Sequence, residues 1–382
     1  VVTKWIEMRA NEYLTAYCES ENFKRISVDN IEPTAQVPYD YKGLYVEELS
    51  EVINMEAIKA AGPKTLVDTL GGSGASYWKA IKKRYGLDLT IIHDEYDPTF
   101  SFMTYDHDGK VRMDCSSPYV MESVINRIGD FDLAVGNDPD YDRYGIVISS
   151  GLVSANSFLT MAARYLFTTR GWKNKGIGKT IVCTTMIDKW AASVEIPVFE
   201  VPVGFKYFSQ LLFDGVIGIG GEESAGASFL KKDGTVWTTD KDGIIMALLG
   251  MEIMAVMGKS ALKMADDFAE NYGEPRFGRI DAPCKKEQKQ ILKQLSAELI
   301  TATSVDGDPI TGIRTTSMYN NMPIDGVRVE TDKGWFVARP SGTEDLYKIY
   351  GESYKGDLGL VALLTAGEEI VNAALNGKID AE

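Results

Sequence analysis

The stretch Phe131-Asp132-Leu133-Ala134-Val135-Gly136-Asn137-Asp138-Pro139-Asp140-Tyr141-Asp142-Arg143 sets an apolar run against a turn made of carboxylates. A short apolar run closed by Asn-Asp and followed by a second run, Gly145–Ile148, reads as two strands joined by a chemically loaded loop. The same unit recurs on both sides. Thr65–Leu70 is a strand candidate that ends in Gly71-Gly72-Ser73-Gly74, Ser76–Tyr85 has a helical period, and Asp88–His93 is the next strand. Downstream, Thr180–Thr184, Val198–Val201 and Val216–Ile219 read as strands. Ser157–Phe167, Ile187–Val194, Phe205–Phe213 and Asp242–Met257 read as helices. Strands alternating with helices argue for βαβ units, so the fold class is α/β with largely parallel or mixed sheets.

Around Asn271-Tyr272-Gly273-Glu274-Pro275 this alternation breaks. The remainder carries a basic helix (Lys285–Leu295), strands near Gly326–Glu330 and Gly334–Ala338, and a last helix, Leu358–Leu375, an α+β pattern on a smaller scale. Boundaries are expected near residues 40, 152 and 275. With 382 residues the chain has room for two to four domains.

Charged residues are 25% of the chain and apolar ones 45%, an ordinary globular balance that excludes disordered, collagen-like and small disulfide-scaffold classes. Lys+Arg is 40 against Asp+Glu 55, a net charge of −15, which disfavours sequence-independent nucleic-acid binding. A local group of Arg and Lys can still hold an anionic small molecule, because distant charge is screened. The four cysteines are scattered, with no C-x-x-C, which suits a reducing cytoplasm and argues against a cysteine zinc site. With only His93 and His107, a histidine metal site or a His-based triad is not expected. The most apolar stretch, Ile244–Met257, carries Glu252 and reads as a buried helix, so no membrane partner is expected. The sequence begins at Val1 within a helical pattern, which reads as a start without its N-terminal portion.

Three loops carry chemistry. Asp138, Asp140 and Asp142 stand at alternate positions after an apolar strand. In an extended segment they share a face and can converge on a hard cation such as Mg²⁺. An EF-hand is excluded, because Arg143 occupies the sixth position where Gly is needed and Ser149 the twelfth; a solvated acidic turn is the plain alternative. Gly220-Gly221-Glu222-Glu223-Ser224-Ala225-Gly226 combines close backbone approach with side chains that bind adjacent sugar hydroxyls, or else is a Gly-rich turn. Arg339-Pro340-Ser341-Gly342-Thr343-Glu344 makes a phosphate cradle of hydroxyls, backbone N–H groups and a guanidinium, with Lys348 close behind; its plain alternative is an ordinary turn. Lys206, in a strand-to-helix turn, and Lys241, just before the long helix, are either surface lysines or part of the site. Asp240 and Asp242 fix Lys241 or cap the helix. The Gly71–Gly74 loop reads as a tight turn.

These loops in this order resemble the α-D-phosphohexomutases. The longer stretches Asn-Asp-Pro-Asp-Tyr-Asp-Arg, Val-Pro-Val-Gly-Phe-Lys, Gly-Gly-Glu-Glu-Ser-Ala-Gly and Thr-Asp-Lys-Asp-Gly look like the glucose-specific bacterial branch. The resemblance runs nearly the whole length and implies four domains around a cleft. It places the tail of domain one at 1–40, a metal-binding α/β domain at 41–151, a sugar-binding α/β domain at 152–274 and a phosphate-binding α+β domain at 275–382.

The implied activity is interconversion of α-D-glucose 1-phosphate and glucose 6-phosphate through a phosphoserine, with Mg²⁺ as cofactor and glucose 1,6-bisphosphate as intermediate and activator. Carried over, Asp138, Asp140 and Asp142 bind the metal, and Arg143 supports the phosphoserine region. Glu222 and Ser224 hold the sugar's 3- and 4-hydroxyls. Arg339, Ser341, Gly342, Thr343 and Lys348 bind the non-transferring phosphate; some relatives have Arg at the Lys348 position. Lys241, with Lys206 nearby, handles protons and charge. The partner is a phosphorylated hexose, in a cytoplasmic monomer or homodimer. The family's Ser-His-Asn-Pro-type loop is absent from this sequence, so the 382 residues alone are expected to be inactive. A non-catalytic phosphosugar-binding protein and a mutase for another hexose such as mannose stay open.

Overall fold

The computed structural model describes residues 2–19, 27–35, 37–95, 97–106, 109–258 and 268–376; His107 lies outside them. The chain divides into two units, 1–44 and 45–382. The first holds helix Val2–Glu19, which exposes Trp5, Ile6, Met8 and Leu14, and two short 3₁₀ turns at Val28–Asn30 and Pro33–Ala35.

The second unit contains three sheets. The first is formed by β1 (Thr65–Asp68), β2 (Leu89–Ile92), β3 (Leu133–Asn137), β4 (Tyr144–Ile148) and β5 (Gly151–Val153), in the order β2-β1-β3-β4-β5. β1 runs parallel to β2 and β3; β4 and β5 are antiparallel. All five residues of β3 are buried, as expected of a strand covered on both faces. The second sheet comprises β6 (Gly176–Thr180), β7 (Val198–Val201), β8 (Ile217–Gly221) and β9 (Ala227–Phe229), in the order β7-β6-β8-β9, with only β9 antiparallel.

The third sheet is antiparallel throughout. It is built from β10 (Arg276–Pro283), β11 (Ser304–Val305), β12 (Asp308–Thr316), β13 (Pro323–Thr331), β14 (Gly334–Pro340) and β15 (Leu346–Ser353), in the order β10-β15-β14-β13-β12-β11. One face takes helices Lys286–Lys293 and Gly356–Leu375 over Val329, Phe336 and Ile349. The other packs Trp335, Val337 and Tyr350 on Ile181 and Val182, just past β6. Mixed α/β sheets with a C-terminal α+β portion are thus the observed class.

Two elements differ from the sequence reading. The strand expected at Thr180–Thr184 lies earlier, at Gly176–Thr180, and Ile181–Cys183 form the turn after it. The glycines of Gly-Ile-Gly-Lys-Thr hide the strand from a hydrophobic count, yet they are needed. A Cβ on Gly176 would meet Phe199 at 2.2 Å and one on Gly178 would meet Phe208 at 2.8 Å. The helix expected at Phe205–Phe213 is a 3₁₀ turn, Phe205–Tyr207, followed by helix Ser209–Phe213. The chain enters the 3₁₀ turn through Gly204 at φ 133°, a left-handed-side conformation open to glycine.

Helix Gly243–Met257 joins the first two sheets. It is buried from Gly243 to Met254 and packs on β3, β4 and β9 as well as on helices Met55–Ala61 and Ala155–Thr169. Glu252, fully buried within it, accepts from the Asn54 N–H and the Tyr165 hydroxyl, both at 2.8 Å, and from Arg170 Nη2 at 2.7 Å. Removing one partner of a buried pair strands the other charge. Glu252→Ala is therefore expected to lower stability by about 3–5 kcal/mol. Denaturant unfolding followed by tryptophan fluorescence checks this; an unchanged midpoint would show the cluster to be dispensable.

Candidate active site

The acidic loop follows β3 and folds back on itself. Tyr141 N–H donates to the Asp138 carbonyl at 3.0 Å, and Tyr141 takes φ 63°, a left-handed conformation that non-glycine residues adopt at a cost. The result brings one ligand oxygen from each of Asp138, Asp140 and Asp142 within 4.8 Å of one another. Asp138 is buried, Asp142 half-buried and Asp140 exposed. Three hard oxygen donors on one turn fit Mg²⁺, which keeps further positions for water or phosphate oxygens.

Arg143 closes this loop. Its N–H and Nε bind the two oxygens of Asp138 at 2.9 and 2.7 Å, and Nη1 reaches Asp114 at 3.2 Å. Burial opposes the charge on Arg143, but Asp114 and Asp138 outweigh it and hold its pKa above the usual value. For Asp138 burial wins over Arg143 and pushes the carboxyl up to about 7.

The Gly71–Gly74 turn supports the loop from behind. Ser73 N–H donates to the Pro139 carbonyl at 2.9 Å, and a Cβ on Gly74 would lie 2.2 Å from the Tyr141 ring. The sequence reading found the turn but not this contact.

The loop after β8 lies alongside. Arg143 and Gly226 form a β-bridge, and Tyr144 N–H donates to the Ala225 carbonyl at 3.2 Å. Glu222 is buried and half-buried Ser224 sits beside it. Burial, reinforced by Glu223, pushes Glu222 up to about 7. Lys241 spans the two loops: its ammonium lies 2.5 Å from Asp142 and 4.0 Å from Glu222. Burial disfavours that charge, yet the hydrogen bond to Asp142 raises its pKa on balance. Lys206 is not drawn into this group. It is exposed, 5.2 Å from the Tyr207 ring centroid, with no ion pair among the described residues.

The third loop begins at the end of β14. Arg339 pairs in register with Lys348, and Lys348 with Asp281, so the three lie in one row across the sheet. Ser341 is buried and its N–H donates to the Leu346 carbonyl at 2.8 Å, while Glu344 N–H donates to Ser341 Oγ at 3.2 Å. Gly342 and Thr343 are exposed at the tip. Lys348 holds Glu344 at 2.8 Å, which lowers the Glu344 pKa. Arg279, two residues before Asp281 and paired with it at 2.8 Å, adds charge that the sequence reading missed. Asp114 was also missed. Its signal was present, since Arg112-Met113-Asp114 alternates charge with an apolar residue, as does Arg279-Ile280-Asp281.

Comparison with known proteins places this arrangement. The family models for phosphoglucomutase/phosphomannomutase match over residues 44–151 (alpha/beta/alpha domain II), 154–272 (domain III) and 281–358 (the C-terminal domain). The phosphoglucomutase of Komagataeibacter xylinus is 44% identical over 376 residues, which cover 97% of this chain and 67% of the relative. Phosphoglucomutase 1 of Saccharomyces cerevisiae is 24% identical, covering 91% of this chain and 64% of the relative. Among solved structures, the phosphoglucomutase/phosphomannomutase family protein of Burkholderia thailandensis matches with a TM-score of 0.66 at 20% identity, over 89% of this chain and 66% of that one. Parafusin, a phosphoglucomutase of Paramecium, matches with a TM-score of 0.66 at 19% identity, over 89% and 63%. At those identities the two structures speak to the fold. The chain spans about two thirds of the length of these relatives. With its three matched domains and its 44% identical relative, the chain belongs to the phosphoglucomutase/phosphomannomutase family, the α-D-phosphohexomutases.

Proposed function

We propose that these residues form the metal-, sugar- and phosphate-binding parts of a phosphoglucomutase that interconverts α-D-glucose 1-phosphate and glucose 6-phosphate in the cytoplasm. The observation that carries this is Lys241, whose ammonium stands between the metal-loop carboxylate of Asp142 and the sugar-loop carboxylate of Glu222. A hydroxyl held by Glu222 and Ser224 would lie beside the place where phosphoryl charge has to be neutralised. The 44% identity to a phosphoglucomutase and the Glu222-Glu223-Ser224-Ala225-Gly226 loop favour glucose over other hexoses.

In this reading Asp138, Asp140 and Asp142 hold Mg²⁺, which offsets charge on the transferring phosphoryl group when bound. Arg143 keeps Asp138 oriented. Glu222 and Ser224 grip the 3- and 4-hydroxyls, a grip that works with either end of the hexose inward. Lys241 moves a proton or positive charge near the accepting hydroxyl. Arg339, Ser341, Gly342, Thr343 and Lys348 hold the phosphate that is not moving. Glucose 1,6-bisphosphate, phosphorylated at both ends, satisfies both sites at once. No Ser-His pair occurs in these residues, so the phosphoryl donor has to come from outside them, and alone they bind without turnover.

Two outcomes test this. Mg²⁺ at about 100 times its Kd should stabilise the chain by about 2.7 kcal/mol, read as a rise in melting temperature. Asp140→Asn, at an exposed position, should abolish that rise without lowering the metal-free melting temperature. The whole gene product should convert glucose 1-phosphate to glucose 6-phosphate, faster than it converts mannose 1-phosphate. The same substitution should cost at least about a hundredfold in kcat, because a metal supplies several kcal/mol to such a step. No conversion of glucose 1-phosphate by the whole gene product would overturn the reading.

A further inference from the structure

Glu344 links cations that come from different parts of the fold. Its Oε2 accepts the Lys348 ammonium at 2.8 Å, and its Oε1 lies 4.0 Å from Arg112 Nη1. Lys348 rises from β15 of the third sheet, next to Arg339. Arg112 comes from the segment between β2 and β3, two residues before the Asp114 that holds Arg143 at 3.2 Å. One short segment therefore touches both the metal loop and the phosphate loop.

We propose that Arg112 is a phosphate-binding residue, completing from the first sheet's side the site that Arg339, Ser341 and Lys348 build on the third. The inference rests on the phosphate reading above and names a further member of that site. Three features support it. A guanidinium presents several N–H donors in a planar fork that suits phosphate oxygens. Its contact with Glu344 is an ion pair at long range, and both side chains are 39% exposed, so a ligand can reach them. Glu344 carries one negative charge where a phosphomonoester carries up to two, so the phosphate outcompetes it for Arg112 and Lys348. A phosphate bound there contacts side chains from two of the three sheet domains, which ties the two sides of the cleft together.

Calorimetric titration of the 382-residue chain tests this with two probes, inorganic phosphate and glucose 1,6-bisphosphate, and with Mg²⁺ as a control. Arg112→Gln should weaken both anions by about tenfold or more, the scale of one lost charge-assisted contact. Arg112→Lys should weaken them less, since it keeps the charge and loses the fork. Mg²⁺ affinity should be the same in all three proteins. Anion affinities unchanged in Arg112→Gln overturn the proposal. A parallel loss of Mg²⁺ affinity also overturns it, because the effect would then run through Asp114 and the metal loop. If the wild type binds phosphate but not the bisphosphate, and Arg112→Gln loses the phosphate, the inference stands and the phosphoglucomutase reading falls. If the wild type binds neither anion, both fall.

Discussion

The start of the buried helix at Asp242 is the constraint on which the site depends. Its half-buried carboxylate accepts from the Tyr45 hydroxyl at 2.9 Å, Trp237 Nε1 at 2.8 Å, and the N–H groups of Ile244 and Ile245 at 3.1 and 3.2 Å. Burial raises its pKa, and only this ring of donors makes a charge there tolerable. The cap fixes both neighbours. Gly243 N–H donates to the Tyr141 carbonyl at 2.9 Å, and a Cβ at Gly243 would lie 2.2 Å from the Arg143 carbonyl oxygen. Lys241, on the other side, is thereby delivered to Asp142. A helix of the second sheet's domain thus sets the shape of a loop in the first.

Electrostatics explains why such rigidity is needed. Asp114, Asp138, Asp142 and Glu222 lie together with Arg143 and Lys241 among them. Burial pushes Asp138 and Glu222 up to about 7, outweighing the nearby Arg143 and Lys241. A divalent cation at the acidic turn would favour the ionised form of Asp138 further, since nearby positive charge stabilises a carboxylate. The chain's surplus of carboxylates therefore does not describe the third loop, where Arg339, Lys348 and Arg279 are set on neighbouring strands. Charge is sorted by place, with metal-seeking oxygens on one turn and anion-seeking nitrogens on another.

Much of this was legible in the sequence. The Asp138–Asp142 alternation, the Glu222–Gly226 loop and the Arg339–Glu344 loop are local, and each is read from consecutive residues. Lys241 was legible only as a choice between surface and site, because the deciding partner, Asp142, lies about a hundred residues away. β6 was displaced because Gly176 and Gly178 serve packing rather than hydrophobicity. β10, β12 and β15 went unread for a different reason. They alternate charged residues, such as Arg279, Asp281, Arg314 and Lys348, with apolar ones and carry no continuous apolar run. Asp114 and Arg112 sit in a segment outside the sheets, where only tertiary contact reveals a role.

The acidic turn and the Arg339–Glu344 loop rest on different supports, and the difference matches the tasks proposed for them. The cations proposed to hold phosphate, Lys348 and Arg339, are strand residues in register, with Asp281 on the far side of Lys348, so their spacing is fixed by the ladder itself. The carboxylates proposed for the metal lie on a turn with a left-handed Tyr141, held by contacts from Gly72, Gly74 and Gly243 that leave no space for a side chain. A phosphate needs a wide, evenly spaced set of donors, and a sheet surface provides that. A small cation needs oxygens that converge on one point, and the acidic turn offers three within 4.8 Å of one another. The acidic turn brings three carboxylates from five consecutive residues to one point by folding back on itself, and contacts with Gly72, Gly74 and Gly243 brace it from outside.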